Sequence, residues 1–487
     1  MRILFLDLDT LRPDHLGCYG YHRNTSPNID SVADEGIKFT NYYTPNAPCL
    51  PSRAALISGK FGILNGAINH GGSTADMDKQ GSKRGFRSEI GTESLTCMLR
   101  NSGYRTISVS PFGERHSAFW FYSGFNEVYN TGKGGMESAE DVTPVVMNWL
   151  KGNAKDDNWF LHINYWDPHG PYRAPDEFGN PFKNDPIPDW LTEEIMKQQE
   201  KKTGPHGVLD IHMYDDKPWP DYPKYPGRIS GLEGARIMMD GYDCGIKYMD
   251  SHIGQIIDYL KENGVWDDTA VIITSDHGEN MGELGIWGEH ATADNITPKI
   301  PMIIKWPGML RDVTDNGLHY NIDLAPTLAS LIGQKPMPSW EGRSYKSALE
   351  ENSKCGRIEL ILEQCAHVCQ RSVRFDDWLY IRTYHDGYHL FPSEMLFNVK
   401  EDPFEQKDVA GVFPEICRDA AWRLQNWHDY MMSKRKDAVD PLWLTIREGG
   451  PFHAKGHLKE YLVRLKETDR GEGIEELKRR HPEELKR

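Results

Sequence analysis

The sequence predicts an α/β fold: a large domain of strands flanked by helices, with a smaller unit behind it. Three observations carry that expectation. Strand-like runs at 3–8, 158–165 and 270–274 each lead into an acid, at Asp9, Asp167 and Asp276. Open α/β sheets place ligands at the carboxyl ends of their strands, so acids there read as a site. Helix-like stretches at 27–33, 95–101 and 237–263 are interspersed with the strands, as such a fold requires. Finally, 487 residues exceed what one small core organises, and the pattern shifts after Lys354. The expected division is 1–355, with an insertion at 176–230, followed by 356–487.

Each element has a local reason. Residues 3–8 form a buried strand broken only by Asp7, and Asp9-Thr10 follows its end. Thr25-Ser26-Pro27-Asn28-Ile29-Asp30 caps a helix through Ala33. A short strand at 39–43 leads to Asn46-Ala47-Pro48-Cys49-Leu50-Pro51-Ser52-Arg53, then Ala54-Ala55-Leu56-Ile57-Ser58-Gly59-Lys60. This is a loop entering a helix: Pro48 and Pro51 resist helix, Ser52 can cap, and residues 54–57 propagate. A cysteine at a helix mouth beside Arg53 favours an anion there, either a thiolate or a bound oxyanion. A buried structural cysteine is the other reading of Cys49.

The Gly-rich stretch 69–87 lacks periodicity and reads as a loop. A helix at 95–101, closed by Gly103, precedes a strand at 106–109 and the turn Pro111-Phe112-Gly113-Glu114-Arg115-His116. After the strand at 158–165, the prolines of 166–175 make a rigid loop that carries His169. A histidine suits proton donation to a leaving oxygen near neutral pH. His162, mid-strand, reads as packed, and nothing in the sequence assigns Asp167 or Arg173. Residues 176–230, rich in Pro, Asp and Lys, read as an insertion or lid over the site. The strand at 270–274 ends in Ser275-Asp276-His277-Gly278-Glu279. Beyond 354 come strands at 357–365 and 378–383, a helix at 413–433, and a charged, solvated helical tail at 460–487. No internal repeat interrupts this order.

Composition bounds the function. The hydrophobic content, 38%, is that of a soluble globular chain. A formal net charge of −16 excludes a general nucleic-acid binder, and an anionic substrate then needs a locally positive pocket. No stretch has transmembrane length, so no membrane association is expected. The apolar residues 3–6 are too few for a signal-peptide core. Of the eight cysteines only Cys365 and Cys369 lie close, and no second pair completes a zinc pattern. The expected location is the reducing cytoplasm. Oligomeric state is not readable.

The spacing Cys49, Pro51, Arg53, extended by Ser52, Leu56, Gly59 and Lys60, resembles the sulfatase family of the alkaline phosphatase superfamily. That resemblance implies that a maturing enzyme oxidises Cys49 to Cα-formylglycine. The stretch from Asp9 to Gly20 is similar to the first metal segment of the family, with Asp9 as ligand. Thr10 stands where many relatives have a second acid, and its neutral hydroxyl is a weaker ligand for a hard cation. The segment 270–279 is similar to the second, with Asp276 and His277 as ligands. Such a set implies Ca²⁺, with Mg²⁺ or Mn²⁺ open and zinc or iron ranked lower. The family's Gly-Lys-Trp-His-like turn is replaced by Arg115 and His116, and His169 matches a family histidine. Counting back from Pro301, the usual sulfate-binding lysine falls on His290, with Lys299 as another cation. Residues 321–328 match a helix start, and 395–403 a hairpin of a small C-terminal domain.

The implied fold is a large mixed, mostly parallel sheet flanked by helices, plus a smaller antiparallel sheet and helix. The implied reaction releases inorganic sulfate from a sulfated saccharide or similar anionic small ester, O-sulfate or sulfamate. A hydrated aldehyde at residue 49 attacks sulfur, His169 or His290 protonates the leaving group, and Arg53 with the other basic residues offsets developing charge. Other readings stay open: a phosphonate monoester or phosphodiester hydrolase of the same superfamily, a binding protein without turnover, and a thiol hydrolase using unmodified Cys49.

Overall fold

A computed structural model describes residues 1–486. β1 (Arg2–Leu8) is buried at every position, as a central strand covered on both faces must be. Its side chains alternate. Leu4, Leu6 and Leu8 enter one core; Ile3 and Phe5 enter the other. The remaining strands, in chain order, are β2 (Ile37–Tyr43), β3 (Asn46–Ala47), β4 (Arg105–Val109), β5 (Glu127–Tyr129), β6 (Trp159–Tyr165) and β7 (Thr269–Thr274). β8 (Asn280–Met281), β9 (Trp287–Glu289), β10 (Met302–Lys305) and β11 (Val313–Tyr320) follow. The last are β12 (Glu359–Gln364), β13 (Cys369–Phe375), β14 (Trp378–His385) and β15 (Glu394–Asn398).

The large sheet runs β11-β2-β10-β7-β1-β6-β4-β5. Its pairings are parallel except the two made by β10, which is antiparallel to β7 and β2. The expected mixed, mostly parallel sheet is therefore observed. The helices used below are α1 (Pro27–Asp34), α2 (Cys49–Ser58), α3 (Ala139–Asn153), α4 (Gly231–Glu262), α5 (Leu324–Leu331), α6 (Pro414–Lys434), α7 (Leu458–Glu467) and α8 (Ile474–Arg480). Apolar residues of α1, α3 and α4 share the core of Leu4 and Leu6. Those of α2 and α5 share the core of Ile3 and Phe5.

The small sheet runs β15-β14-β13-β12-β3, antiparallel except where β3 joins β12. β3 lies two residues before Cys49, so the small sheet takes its edge strand from the segment that enters α2. Asn46 fixes that edge: its Nδ2 donates to Glu363 Oε2 at 2.7 Å, and its Oδ1 accepts the Gly62 N–H at 2.7 Å.

Three local expectations need correction. Ser52 does not cap α2. The helix begins at Cys49, and the Ser52 N–H already donates to Pro48 O at 2.9 Å. The Ser52 hydroxyl instead donates to the Asp276 carbonyl at 2.6 Å. The long helix begins at Gly231 rather than 237, because Gly231 and Gly234 mask its apolar period. The tail is not solvated along its length. Leu458, Tyr461 and Leu465 of α7 and Ile474 and Leu477 of α8 are buried with Tyr214 and Tyr388. Its charges occupy the outer face of amphipathic helices. Residues 176–230 hold a helix, Glu193–Gln199, and bury Val208, Leu209 and Ile211 in the main core.

Candidate active site

β1 and β7 pair in register, with Asp7 beside Thr274, so their carboxyl ends lie together. Asp9 follows the first, and Asp276 and His277 follow the second. Strand alternation puts Asp7 on the face of β1 that carries Ile3 and Phe5, the side packed by α2, and Asp9, just past the strand's end, meets Arg53 of α2 there too. The first residue of α2 is Cys49, 1% exposed, with its Sγ 3.1 Å from His277 Nε2. Asp9, Cys49, Asp276 and His277 each offer a ligand atom, and these atoms all lie within 4.8 Å of one another.

The donor set fits a hard divalent cation. Asp9 Oδ1 and Thr10 Oγ1 are buried with no hydrogen-bond partner, a state that buried oxygens seldom keep without a ligand. Thr10 also holds a left-handed backbone conformation, φ 58°, uncommon for a β-branched residue. Burial and the neighbouring Asp276 push the Asp9 carboxyl up to about 6. Burial works against charge at Asp276 too, but Arg53 and His277 with the hydrogen bonds to the carboxylate together hold it well below its ordinary range. Crowded carboxylates of this kind are what a cation relieves.

Arg53 does not point its charge at an open pocket. Its Nε donates to Asp7 Oδ2 at 2.9 Å, its Nη2 to Asp7 Oδ1 at 3.1 Å and Asp9 Oδ2 at 3.0 Å, and its Nη1 to Asp276 Oδ2 at 2.5 Å. It is 1% exposed, with its guanidinium 4.7 Å from the Phe112 ring centre. Its donors are committed to carboxylates.

His290 lies beside His277. Its ring centre is 4.1 Å from that of His277. Its Nδ1 is 3.3 Å from Glu279 Oε2 and its Nε2 is 2.8 Å from Glu289 Oε1. Burial opposes its charged form, yet Glu289 and bonds to Cys49 and Glu279 lift it well above an ordinary histidine. His169 is adjacent, its ring centre 5.7 Å from that of His290, with Nδ1 2.6 Å from Gly170 O. Burial and the charges of Arg115 and Arg173 push it well below the usual value, so its ring is neutral.

Arg115 lies with its guanidinium 5.0 Å from the Trp166 ring centre and donates from Nη1 to Gly134 O at 3.1 Å. His116 packs on Phe112 and His70, and its Nε2 is buried without a partner. Burial, then Arg115, lowers it to about 3. Asp167 and Arg173 are structural: Asp167 accepts the Ala139 N–H at the start of α3 at 2.9 Å, and Arg173 donates to the carbonyls of His169 and Gly135.

Sequence reasoning missed Asp7, Glu279 and Glu289. Asp7 was legible as an acid inside an otherwise apolar buried strand, which needs a charged partner. It also missed His70, His206, His367 and His453, which approach from a loop, the insertion, the β12–β13 turn and the segment after α6. His70 Nδ1 is 2.9 Å from His453 Nε2, and the rings of His453 and His367 stack at 4.2 Å. No local spacing announces them, because each belongs to a different part of the chain.

Comparison with known proteins agrees with this geometry. The sulfatase family model matches residues 2–334. The chain is 24% identical over 484 residues to the N-acetylglucosamine-6-O-sulfatase of Bacteroides thetaiotaomicron, covering 84% of this chain and 82% of that one. A solved structure in complex with D-glucosamine-2-N,6-O-disulfate superposes with a TM-score of 0.70 at 19% identity, covering 89% of this chain and 98% of the other. The phosphonate monoester hydrolase of Silicibacter pomeroyi superposes with a TM-score of 0.67 at 20% identity, covering 90% and 96%. With a family match over most of its length, and Cys49 at a helix start between two strand-end acids, the chain belongs to the sulfatase family.

Proposed function

We propose that the protein hydrolyses a sulfuric ester or sulfamate of a carbohydrate or similar small molecule, releasing inorganic sulfate, with residue 49 matured to Cα-formylglycine. The observation that carries this is the meeting of Cys49 with Asp9, Asp276 and His277 around unpartnered buried oxygens. Asp9, Asp276 and His277, with the Thr10 hydroxyl beside them, would hold a divalent cation, Ca²⁺ before Mg²⁺ or Mn²⁺. Such an ion lowers the pKa of a hydroxyl at residue 49 and polarises sulfuryl oxygens. The matured, hydrated side chain supplies one hydroxyl for attack on sulfur and a second to expel sulfate.

The remaining work falls to residues of this chain. Arg53 binds Asp7, Asp9 and Asp276 and so fixes the carboxylates against one another. His290, held by Glu289 and Glu279, keeps a positive imidazolium beside residue 49 where relatives use lysine, and offsets charge on the sulfuryl oxygens. His169, neutral and adjacent, takes up the proton released by the attacking hydroxyl and returns it to the leaving oxygen or nitrogen. Arg115 adds positive charge at the rim of a chain that is negative overall. With Cys49 1% exposed, a maturing enzyme needs this segment before the fold closes over it.

The test pairs mass spectrometry with turnover. Protein made alongside a maturing enzyme should give a Cys49 peptide carrying formylglycine, and should release sulfate from a panel of sulfated saccharides. A peptide that stays wholly cysteine sinks the mechanism. A second reading, phosphonate monoester or phosphodiester hydrolysis, is favoured by the likeness to the phosphonate hydrolase and by the single acid at Asp9-Thr10. Sulfate and phosphonate esters of one leaving group, assayed side by side, separate the two.

A further inference from the structure

Beside the candidate site, and sharing Glu289 with it, lies a second group of ligating side chains. His206 comes from the insertion, Glu289 from the end of β9, and His367 from the turn between β12 and β13. Their ligand atoms all lie within 4.8 Å of one another. His206 Nε2 is 3.4 Å from Glu289 Oε2, and His367 Nε2 is 3.6 Å from Glu289 Oε1. The two rings are 5.7 Å apart. Both histidines are 4% exposed, and both Nε2 atoms are buried without a hydrogen bond.

We propose that His206, Glu289 and His367 form a binding site for a zinc-class divalent cation, separate from the Asp9–Asp276 cluster. A buried imidazole nitrogen with no partner carries a desolvation cost that a metal ion removes. The His206 Nδ1 lies 3.0 Å from Ile211 O, so Nδ1 carries the proton and the Nε2 lone pair faces the carboxylate. That arrangement is how proteins orient a metal-binding imidazole.

The backbone is set to the same end. His206 holds a left-handed φ of 58°, while its carbonyl accepts the Trp287 N–H at 2.9 Å. Non-glycine residues keep such conformations where the surroundings dictate them, and functional sites collect them. Beneath His367, a Cβ on Gly387 would meet the His367 carbonyl oxygen at 2.2 Å, so that position must stay glycine for the turn to pack.

The ligand types choose the ion. Two imidazoles and one carboxylate suit zinc, whereas calcium takes oxygen donors. The molecule would then hold a hard ion at Asp9–Asp276 and a borderline one at His206–His367. Three protein ligands leave one tetrahedral position for a water or a substrate oxygen. Glu289 Oε1 also meets His290 Nε2 at 2.8 Å, so this second ion would adjoin the candidate site.

The full chain, stripped by chelator and resaturated with Ca²⁺, is soaked in Zn²⁺ and its anomalous diffraction measured at the zinc edge. The expected result is a peak between His206 Nε2, the Glu289 carboxylate and His367 Nε2. A zinc peak only at the Asp9–Asp276 cluster, or none, overturns the proposal. In calorimetry, the double variant His206→Asn/His367→Asn should lose one zinc equivalent or bind it at least about tenfold more weakly. Unchanged zinc binding by a folded double variant also overturns it. Should that variant fail to fold, the wild-type diffraction decides. Neither readout uses turnover, so failure of the sulfatase reading leaves both outcomes interpretable.

Discussion

Asp7 and Arg53 show how one buried pair sets the geometry of a site. Arg53 meets Asp7 through two nitrogens and reaches Asp9 and Asp276 with the rest of its fork. Removing one partner of a buried pair leaves an uncompensated charge, at a cost of about 3–5 kcal/mol. Asp7→Asn is expected to lose stability on that scale in denaturant unfolding, and to weaken Ca²⁺ binding although Asp7 is not a proposed ligand. Thr10→Asp should act the other way on the ion. It replaces an unpartnered hydroxyl with a carboxylate, so calorimetry should show tighter Ca²⁺ binding and metal-free protein should melt earlier. At His290 the need is for positive charge: His290→Lys should keep kcat/KM within about tenfold of wild type, while His290→Ala should lose about 10²–10³. Equal losses in both would remove the charge argument.

At the scale of elements, the segment before α2 decides where Cys49 sits. β3 is only Asn46–Ala47, yet it closes the edge of the small sheet through Glu363 and Gln364. Asn46→Ala removes two side-chain hydrogen bonds made in a buried setting, with an expected cost of about 1–3 kcal/mol for each partner left unsatisfied. Since β3 leads directly into α2, kcat should fall as well, measured on folded protein at low temperature. The helices α7 and α8 illustrate a different coupling. Their apolar faces cover Tyr214 and Tyr388, and the Tyr461 hydroxyl accepts the Gly204 N–H of the insertion at 2.7 Å. Truncation after Gly456 should therefore lower Tm and expose the insertion to protease. An unchanged digestion pattern would show that the tail does not hold it.

Across the whole molecule, half-buried neutral histidines link stability to pH. His385 and His453 are lowered to about 4 and His389 to about 3, in each case chiefly by burial. An unfolded histidine takes up its proton near 6.5. Below that value the unfolded chain binds protons that the folded chain refuses, so stability present above pH 6.5 declines as pH falls towards about 4. Tm should drop between pH 7.5 and pH 5 at constant salt, and His453→Gln should flatten part of that slope. No helix among the described residues is long and apolar enough to cross a membrane, and all eight cysteines are free.

What the sequence by itself determined is what local chemistry encodes. The strands at 3–8, 158–165 and 270–274 were legible because buried strands are apolar runs, whereas Asp9, Asp276, His277 and Cys49 were singled out by the resemblance of their short segments to family motifs. The long-range decisions belonged to the tertiary structure. Arg53 became a partner of carboxylates, since only packing fixes where a long side chain finds its opposite charge. His206, Glu289 and His367 met because three segments, remote in sequence, fold onto one place. The solvated tail became a packed one for the same reason: a charged outer face is written in the sequence, but the surface that receives the inner face exists only after folding.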